Sequence, residues 1–376
     1  MNHVPRGARR PHTAPVMLRT VGVEEEFLLV DQVSGRPQAV GQAVLASNGA
    51  EEAGEEVTAE LHREQIETAT LPCHSLDELG AQLRSARATA AGAALDVGVA
   101  LAPLATSPLP VEPTLSPSRR YTEMARRFGL TMYEQLTCGC HVHVAIESAE
   151  EGVAALDRIR PWLAPLQALS TNSPFWAGED SGYAGYRAQV WQRWPSAGQY
   201  APFGSAAGYQ AFVDSLLATD TLIDEGMVYL DARLSRHHPT VEVRVADVCL
   251  DADDAVLVAA LIRALVQTAV DAWKAGREPD PVRTEVLRLA AWRAGRSGVT
   301  GDLLHPLSWR PAPVAEVLDA LVEHVAPALE EAGDLLTVRG LLKAVLERGT
   351  GAQRQREVLN RTGDLAAVVR DATTHP

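Results

Sequence analysis

The chain has 376 residues, 46% of them hydrophobic, which suits a globular protein with a large core and excludes an intrinsically disordered one. Asp and Glu number 48 against 34 Lys and Arg, and the net charge of −14 excludes a general nucleic-acid binder while allowing a local basic pocket. Four cysteines (Cys73, Cys138, Cys140 and Cys249) cannot form a disulfide scaffold across so long a chain and point to a reducing, cytoplasmic setting.

Residues 1–17 are rich in Arg, His and Pro and lack an apolar core. They read as a disordered tail, not a secretory signal or a membrane span. Thr20–Val30 reads as a strand, with Val21, Val23, Phe27, Leu28, Leu29 and Val30 as its apolar residues. Glu24, Glu25 and Glu26 sit in its middle. Alternation puts Glu24 and Glu26 on one face and Glu25 on the other. Two carboxylates side by side repel, and a hard cation such as magnesium, manganese or calcium removes that cost. Taken alone, the stretch reads equally as a solvated acidic edge strand.

Gly35 and Pro37 mark a turn, and residues 42–56 read as surface helix and loop. Thr58–Thr70, which carries Glu60 and Glu67, fits either a strand or a short helix ended by Pro72. Ser75–Leu101 is predicted as a helix, capped by Ser75 and Glu78, with Leu76, Leu79, Leu83, Ala86 and Ala90 at helical spacing. Prolines make residues 102–118 a long extended loop, and Tyr121–Phe128 is helical again. Leu136–Ile146 is a second strand. Glu150–Thr171 is helical, interrupted by Pro161 and Pro165.

Asn172–Gly198 is dense in rings and glycines. Trp176, Tyr183, Tyr186 and Trp191 suit the walls of a ligand site, or else a packed cover over the sheet. Leu222–Leu234 and Pro239–Val248 are predicted strands around the turn Ser235–Pro239. In the latter, Val241, Val243 and Val245 face the packing side, and Glu242 and Arg244 the other. From Asp251 the chain is helical, with helices over Ala255–Lys274, Val282–Ala294, Val314–Glu331 and Leu335–Arg348. Arg263 and Gln267 break the apolar run Ala255–Val270, so no transmembrane helix is expected. No second sheet and no strong linker is legible, and residues 18–376 are expected to form one α+β domain.

Cys138-x-Cys140-His141-x-His143 looks like a zinc or copper motif. A strand, however, sends the cysteines to one face and the histidines to the other, and one metal cannot easily collect all four. The thiols are assigned to the core and the imidazoles to a cleft. Three strands share this habit of ionisable residues at i and i+2 on one face: Glu24/Glu26, His141/His143 and Glu242/Arg244. If they lie in one sheet, its charged face is costly unless ions or charged ligands fill it. Carboxylates and imidazoles supply metal ligands, and Arg187, Arg233 and Arg244 supply bidentate partners for phosphate or carboxylate. Metals with arginines are what phosphoryl transfer requires. No Walker-type loop is present.

On these residues the chain resembles the ATP-dependent carboxylate–amine ligases of the glutamate–cysteine ligase type 2 family, within the glutamine synthetase superfamily. The resemblance rests on Gly22–Phe27, Cys138–His143, Asn172–Trp176, Gly182–Arg187, Arg193–Pro195 and Thr240–Asp247, in that order. It implies a curved antiparallel sheet with helices packed on one face and a concave face holding magnesium or manganese ions and the phosphates of ATP. It further implies Glu24, Glu26, Glu60, Glu67, His141 and Glu242 at the metal. Arg187, Arg233, Arg244 and His143 would sit at the nucleotide, with Arg244 and Arg187 at the reacting groups. The implied reaction is phosphorylation of a carboxylate by ATP, then attack of an amine on the acyl phosphate. Glutamate and cysteine are the first pair to consider, giving γ-glutamylcysteine. The rivals are a phosphagen-type kinase of the same broad fold, a catalytically silent nucleotide- or amino-acid-binding protein, and a zinc hydrolase built on Cys138–His143. Small-molecule partners are expected, with no nucleic acid or membrane; a homo-oligomer is compatible.

Overall fold

β1 (Val21–Asp31) is the strand on which the sheet is built, with β-strand neighbours along both edges. Alternation buries Val21, Val23 and Phe27 and leaves Glu24 and Glu26 on the opposite face. The computed structural model describes residues 18–47 and 56–375, so the tail expected over 1–17 lies outside the described residues. α1 (Gly41–Ser47) follows the turn at Gly35. The ambiguous run that follows is a hairpin, β2 (Glu56–Ala59) and β3 (Gln65–Ala69).

α2 (Leu76–Asp96) begins as expected, with the Ser75 hydroxyl accepting the Glu78 N–H, but it ends at Asp96 and not at Leu101. Gly98 takes φ +85°, and β4 (Val99–Ala102) then pairs with the far half of β1. A short buried apolar run carries no period that separates strand from helix, hence the difference.

α3 (Arg119–Phe128) and α4 (Leu130–Tyr133) lead into β5 (Gly139–Ala145). The next helical stretch is divided at Pro161 into α5 (Ala149–Ile159) and α6 (Leu163–Leu169). The short ladder of β6 (Phe175–Trp176) and β7 (Glu179–Asp180) follows, then α7 (Arg187–Trp191) and α8 (Ala206–Leu217). Of the predicted strand Leu222–Leu234, only β8 (Ala232–Leu234) forms. The rest follows a bend at Asp220, at φ +52°, and passes through a 3-10 turn at Glu225–Met227. Leu222, Met227 and Leu230 are apolar because they anchor this loop in the core, not because they alternate on a sheet. β9 (Thr240–Asp247) matches its prediction.

The C-terminal part comprises α9 (Ala252–Lys274), α10 (Thr284–Ser297), β10 (Leu303–Leu304), β11 (Pro311–Ala312), α11 (Val314–Ala332), α12 (Leu335–Arg348), α13 (Gly351–Thr362) and α14 (Leu365–Ala372). The ladders β6–β7 and β10–β11 were not expected; with two residues per strand they leave no periodic trace in the sequence. α13 and α14 extend the helical region past Arg348, and Thr350 and Gln353 cap α13 reciprocally.

Seven strands form one antiparallel sheet in the order β2-β3-β1-β5-β9-β8, with β4 beside β1. α9 packs against α5, α2, α11 and α12 and also meets the sheet at β5 and β1. By length and composition α9 could cross a membrane, but 78% of its apolar window is buried here, as befits a central core helix. The core joins Val21, Val23, Val142, Val144, Val241 and Val243 of the sheet to the leucines of α5 and α9.

Candidate active site

Strand register assembles the site. Glu26 stands opposite Glu67, Glu24 opposite His141, His143 opposite Glu242, and Glu242 opposite Arg233. Five strands thereby contribute to one ionisable row. The β5–β9 pairing shifts between Cys140 and Val142, so Arg244 and Val245 oppose the single residue His141. Bulges of this kind concentrate beside active sites. Arg244 Nη1 ends 3.5 Å from His141 Nδ1.

A cleft of about 280 Å³ lies over this row. Glu24, Glu26, Glu60, Glu67, His141, His143, Arg233, Glu242 and Arg244 all line it. Glu24 reaches both imidazoles, His143 Nε2 at 3.2 Å and His141 Nδ1 at 3.4 Å. Glu26 Oε2 accepts the Gly139 N–H at 2.6 Å, and its Oε1 is 3.8 Å from His141 Nε2. Glu242 accepts a fork from Arg233 at 2.8 and 3.1 Å and a further bond from Arg244. Glu60, just beyond β2, accepts the Leu61 N–H at 2.9 Å, and Glu67 accepts the Thr58 hydroxyl at 3.3 Å.

The charge balance divides the floor in two. Burial pushes Glu60 up to about 7, with Glu26 adding to the push, and burial together with Glu60, Glu24 and Glu26 raises Glu67 well above the carboxylate range. Burial also works against Glu24, but its hydrogen bonds to His141 and His143 win and hold it below its ordinary value. Glu242 is likewise held down by Arg244 and Arg233 against the cost of burial. His141 is lowered by burial and by the Arg244 charge. One end of the cleft therefore has excess carboxylate and the other has arginine.

Two groups of donor atoms lie within 4.8 Å of one another: Glu24, His141 and Glu242, and Glu26, Glu67 and His141. Carboxylates dominate both, and a divalent cation would offset the repulsion among them, so the residues fit a hard metal ion. Among the described residues neither group contains a cysteine. Cys138 and Cys140 are buried as free thiols, which removes the four-ligand basis of a zinc site on Cys138–His143.

Arg187 does not line the cleft, contrary to the expectation that it meets ligand directly. Its side chain is 2% exposed, its backbone N–H is held by the Ser173 hydroxyl, and its Nη1 is 4.0 Å from Asp247. Asp247 in turn accepts the Asn172 N–H and the Ser173 hydroxyl, so part of the Asn172–Trp176 motif serves to place this arginine behind the wall. Among the four rings singled out, only Trp191 lines the cleft. Tyr186 packs on Trp176 and Tyr183 at 5.8 and 5.6 Å, and Tyr183 meets Trp292 of α10, forming a cover elsewhere on the surface.

Sequence reasoning missed Arg120, Tyr121, Gln135, Trp194 and Tyr229, which also line the cleft. They come from helix ends and loops, where no periodicity marks them. It also missed the partner of Glu25. Glu25 turns away from the cleft, as expected, and forms a fully buried two-pronged pair with Arg87 at 2.6 and 2.9 Å. A lone arginine on the apolar face of α2 was the available signal.

The sheet, with helices on its apolar face and carboxylates, imidazoles and arginines on the other, defines an α+β fold with one charged cleft. Its overall shape matches a glutamate–cysteine ligase from Francisella tularensis solved with AMP (TM-score 0.68, 13% identity, 95% of this chain and 88% of that one). It also matches a bifunctional glutathione synthetase from Pasteurella multocida (TM-score 0.68, 15% identity, 95% of this chain and 52% of that one). The family model for glutamate–cysteine ligase family 2 matches residues 20–371. Relatives from Streptomyces avermitilis and Streptomyces coelicolor, provisionally named glutamate–cysteine ligase 2-1 and 2, are each 53% identical over 94% of this chain and over 98% and 97% of their own lengths. The chain belongs to glutamate–cysteine ligase family 2. It is an ATP-dependent ligase.

Proposed function

We propose that the chain joins a carboxylate to an amine through an acyl phosphate, with glutamate and cysteine as the first pair to test. The observation that supports this most is the single cleft where Glu24, Glu26, Glu60, Glu67, Glu242, His141 and His143 adjoin Arg233 and Arg244. Magnesium or manganese ions held by Glu24, His141 and Glu242 and by Glu26, Glu67 and His141 would supply a counter-charge for phosphate oxygens. Arg244 is kept charged by Glu242, the burial cost notwithstanding, and its fork suits the equatorial oxygens of a phosphoryl group in transfer. Arg233 would orient the remaining phosphates, and His143, bonded at Nδ1 to the Thr240 hydroxyl, would fix Glu24. Residues 18–376 would act as one catalytic unit.

The test is ADP release from ATP, magnesium and glutamate in the presence of a panel of amines. Amine-dependent ADP with an amide product is expected. ADP with a stable phosphorylated product and no amide would favour a kinase. Tight nucleotide binding with no ADP from any amine would leave only a binding protein.

A further inference from the structure

Two guanidiniums share one indole in the cleft wall. Arg187 Cζ lies 5.6 Å from the centroid of the Trp191 ring, and Arg244 Cζ lies 5.7 Å from it. The two arginine side chains are 2% and 9% exposed. Arg244 has Glu242 as a partner, whereas Arg187 approaches Asp247 only to 4.0 Å. The Nε of each is buried without a hydrogen-bond partner among the described residues. Like charges placed this close repel, and hydrogen-bonding them to more carboxylates would consume the donors needed by an anion. A π-face attracts both cations and uses none of their N–H groups. The indole is itself fixed. Arg187 and Trp191 open and close α7 at i and i+4, so they share one helical face, and Tyr229 meets the ring edge-on at 5.0 Å.

We propose that Trp191 is a positioning residue: its ring packs against both Arg187 and Arg244, fixes Arg244 at the cleft surface, and so builds the anion-binding end of the cleft. The anion is a polyphosphate chain, an identity that rests on the ligase reading above. Arg187 thereby acts without lining the cleft, through its hold on the ring that does.

The experiment is calorimetric titration of the full chain with tripolyphosphate in the presence of magnesium. Trp191→Leu should weaken binding about tenfold, and Trp191→Phe, which keeps a π-face, should stay within about threefold of the parent. Trp191→Met repeats the comparison if Trp191→Leu fails to fold. Combining Trp191→Leu with Arg187→Gln should weaken binding by less than the product of the single losses, since both remove the same arrangement. A residue that merely fills volume would give fully multiplying losses and no rescue by Phe. Parent-like binding by Trp191→Leu, a Phe variant as weak as Leu, fully multiplying losses, or a parent chain that binds no tripolyphosphate would each overturn the proposal. The ligase reading fails separately, by absence of amine-dependent ADP, and the tripolyphosphate affinities still decide the role of Trp191.

Discussion

Glu24, Glu25 and Glu26 are adjacent in the chain and chemically identical, yet they meet three environments. Glu24 lies between two imidazoles, Glu26 holds the Gly139 N–H, and Glu25 is sealed against Arg87 with no exposed surface on either side chain. Glu24→Gln should therefore abolish amine-dependent ADP release while leaving the melting temperature within a few degrees of the parent. Glu25→Gln should do the reverse, costing roughly 3 kcal/mol because Arg87 is left buried without its counter-charge. Chemical denaturation beside turnover assays checks both, and a stable, inactive Glu25→Gln would mean the strand register is wrong. Glu67 belongs to only one of the two donor groups. Glu67→Gln should weaken one class of bound Mn²⁺ by tenfold or more and spare the other, as read by electron paramagnetic titration.

At the scale of elements, the site depends on short irregular pieces laid beside regular ones. The β-bulge opposite His141 and the three-residue strand β8 bring Arg244 and Arg233 to the same carboxylate, Glu242. Asp231, just before β8, is half-buried beside Gln199, and burial raises its carboxyl to about 6 despite that bond and the Arg187 charge. An acid whose folded value lies above its unfolded value binds protons more tightly when folded. Its contribution is therefore favourable at low pH and is lost as pH rises through about 6. Asp231→Asn should stabilise the chain by up to roughly 2–3 kcal/mol at pH 8, and the gain should vanish by about pH 4. Thermal unfolding of both proteins across that range measures it.

At the scale of the whole molecule, the chain end closes the structure it began. Val369 and Ala372 of α14 join the core cluster of Phe27 and Leu29 on β1, and Arg87 also donates to the His375 carbonyl. α13 reaches the same region differently: Gln355 bonds the Asn172 side chain, and Gly351 packs so close to Asn172 that a Cβ there would lie 2.0 Å from its Oδ1. Removing residues 350–376 should therefore expose core and take the Gln355 donor away from the Asn172 side-chain carbonyl. The truncated chain should lose cooperative unfolding, and its near-ultraviolet dichroism should fall with it.

The charged face was legible in the sequence because strand alternation is local: Glu24/Glu26, His141/His143 and Glu242/Arg244 declare their sides without knowledge of their neighbours. The same local rule sent Glu25 the other way and the cysteines into the core. Local rules cannot name partners. The pairing of Glu24 with His141 and of Glu25 with Arg87 joins residues separated by other elements, and only sheet register and packing decide it. They also withdrew Arg187 from the cleft surface, divided the predicted aromatic wall into a cover and one working ring, and gave that ring, Trp191, two arginines to hold.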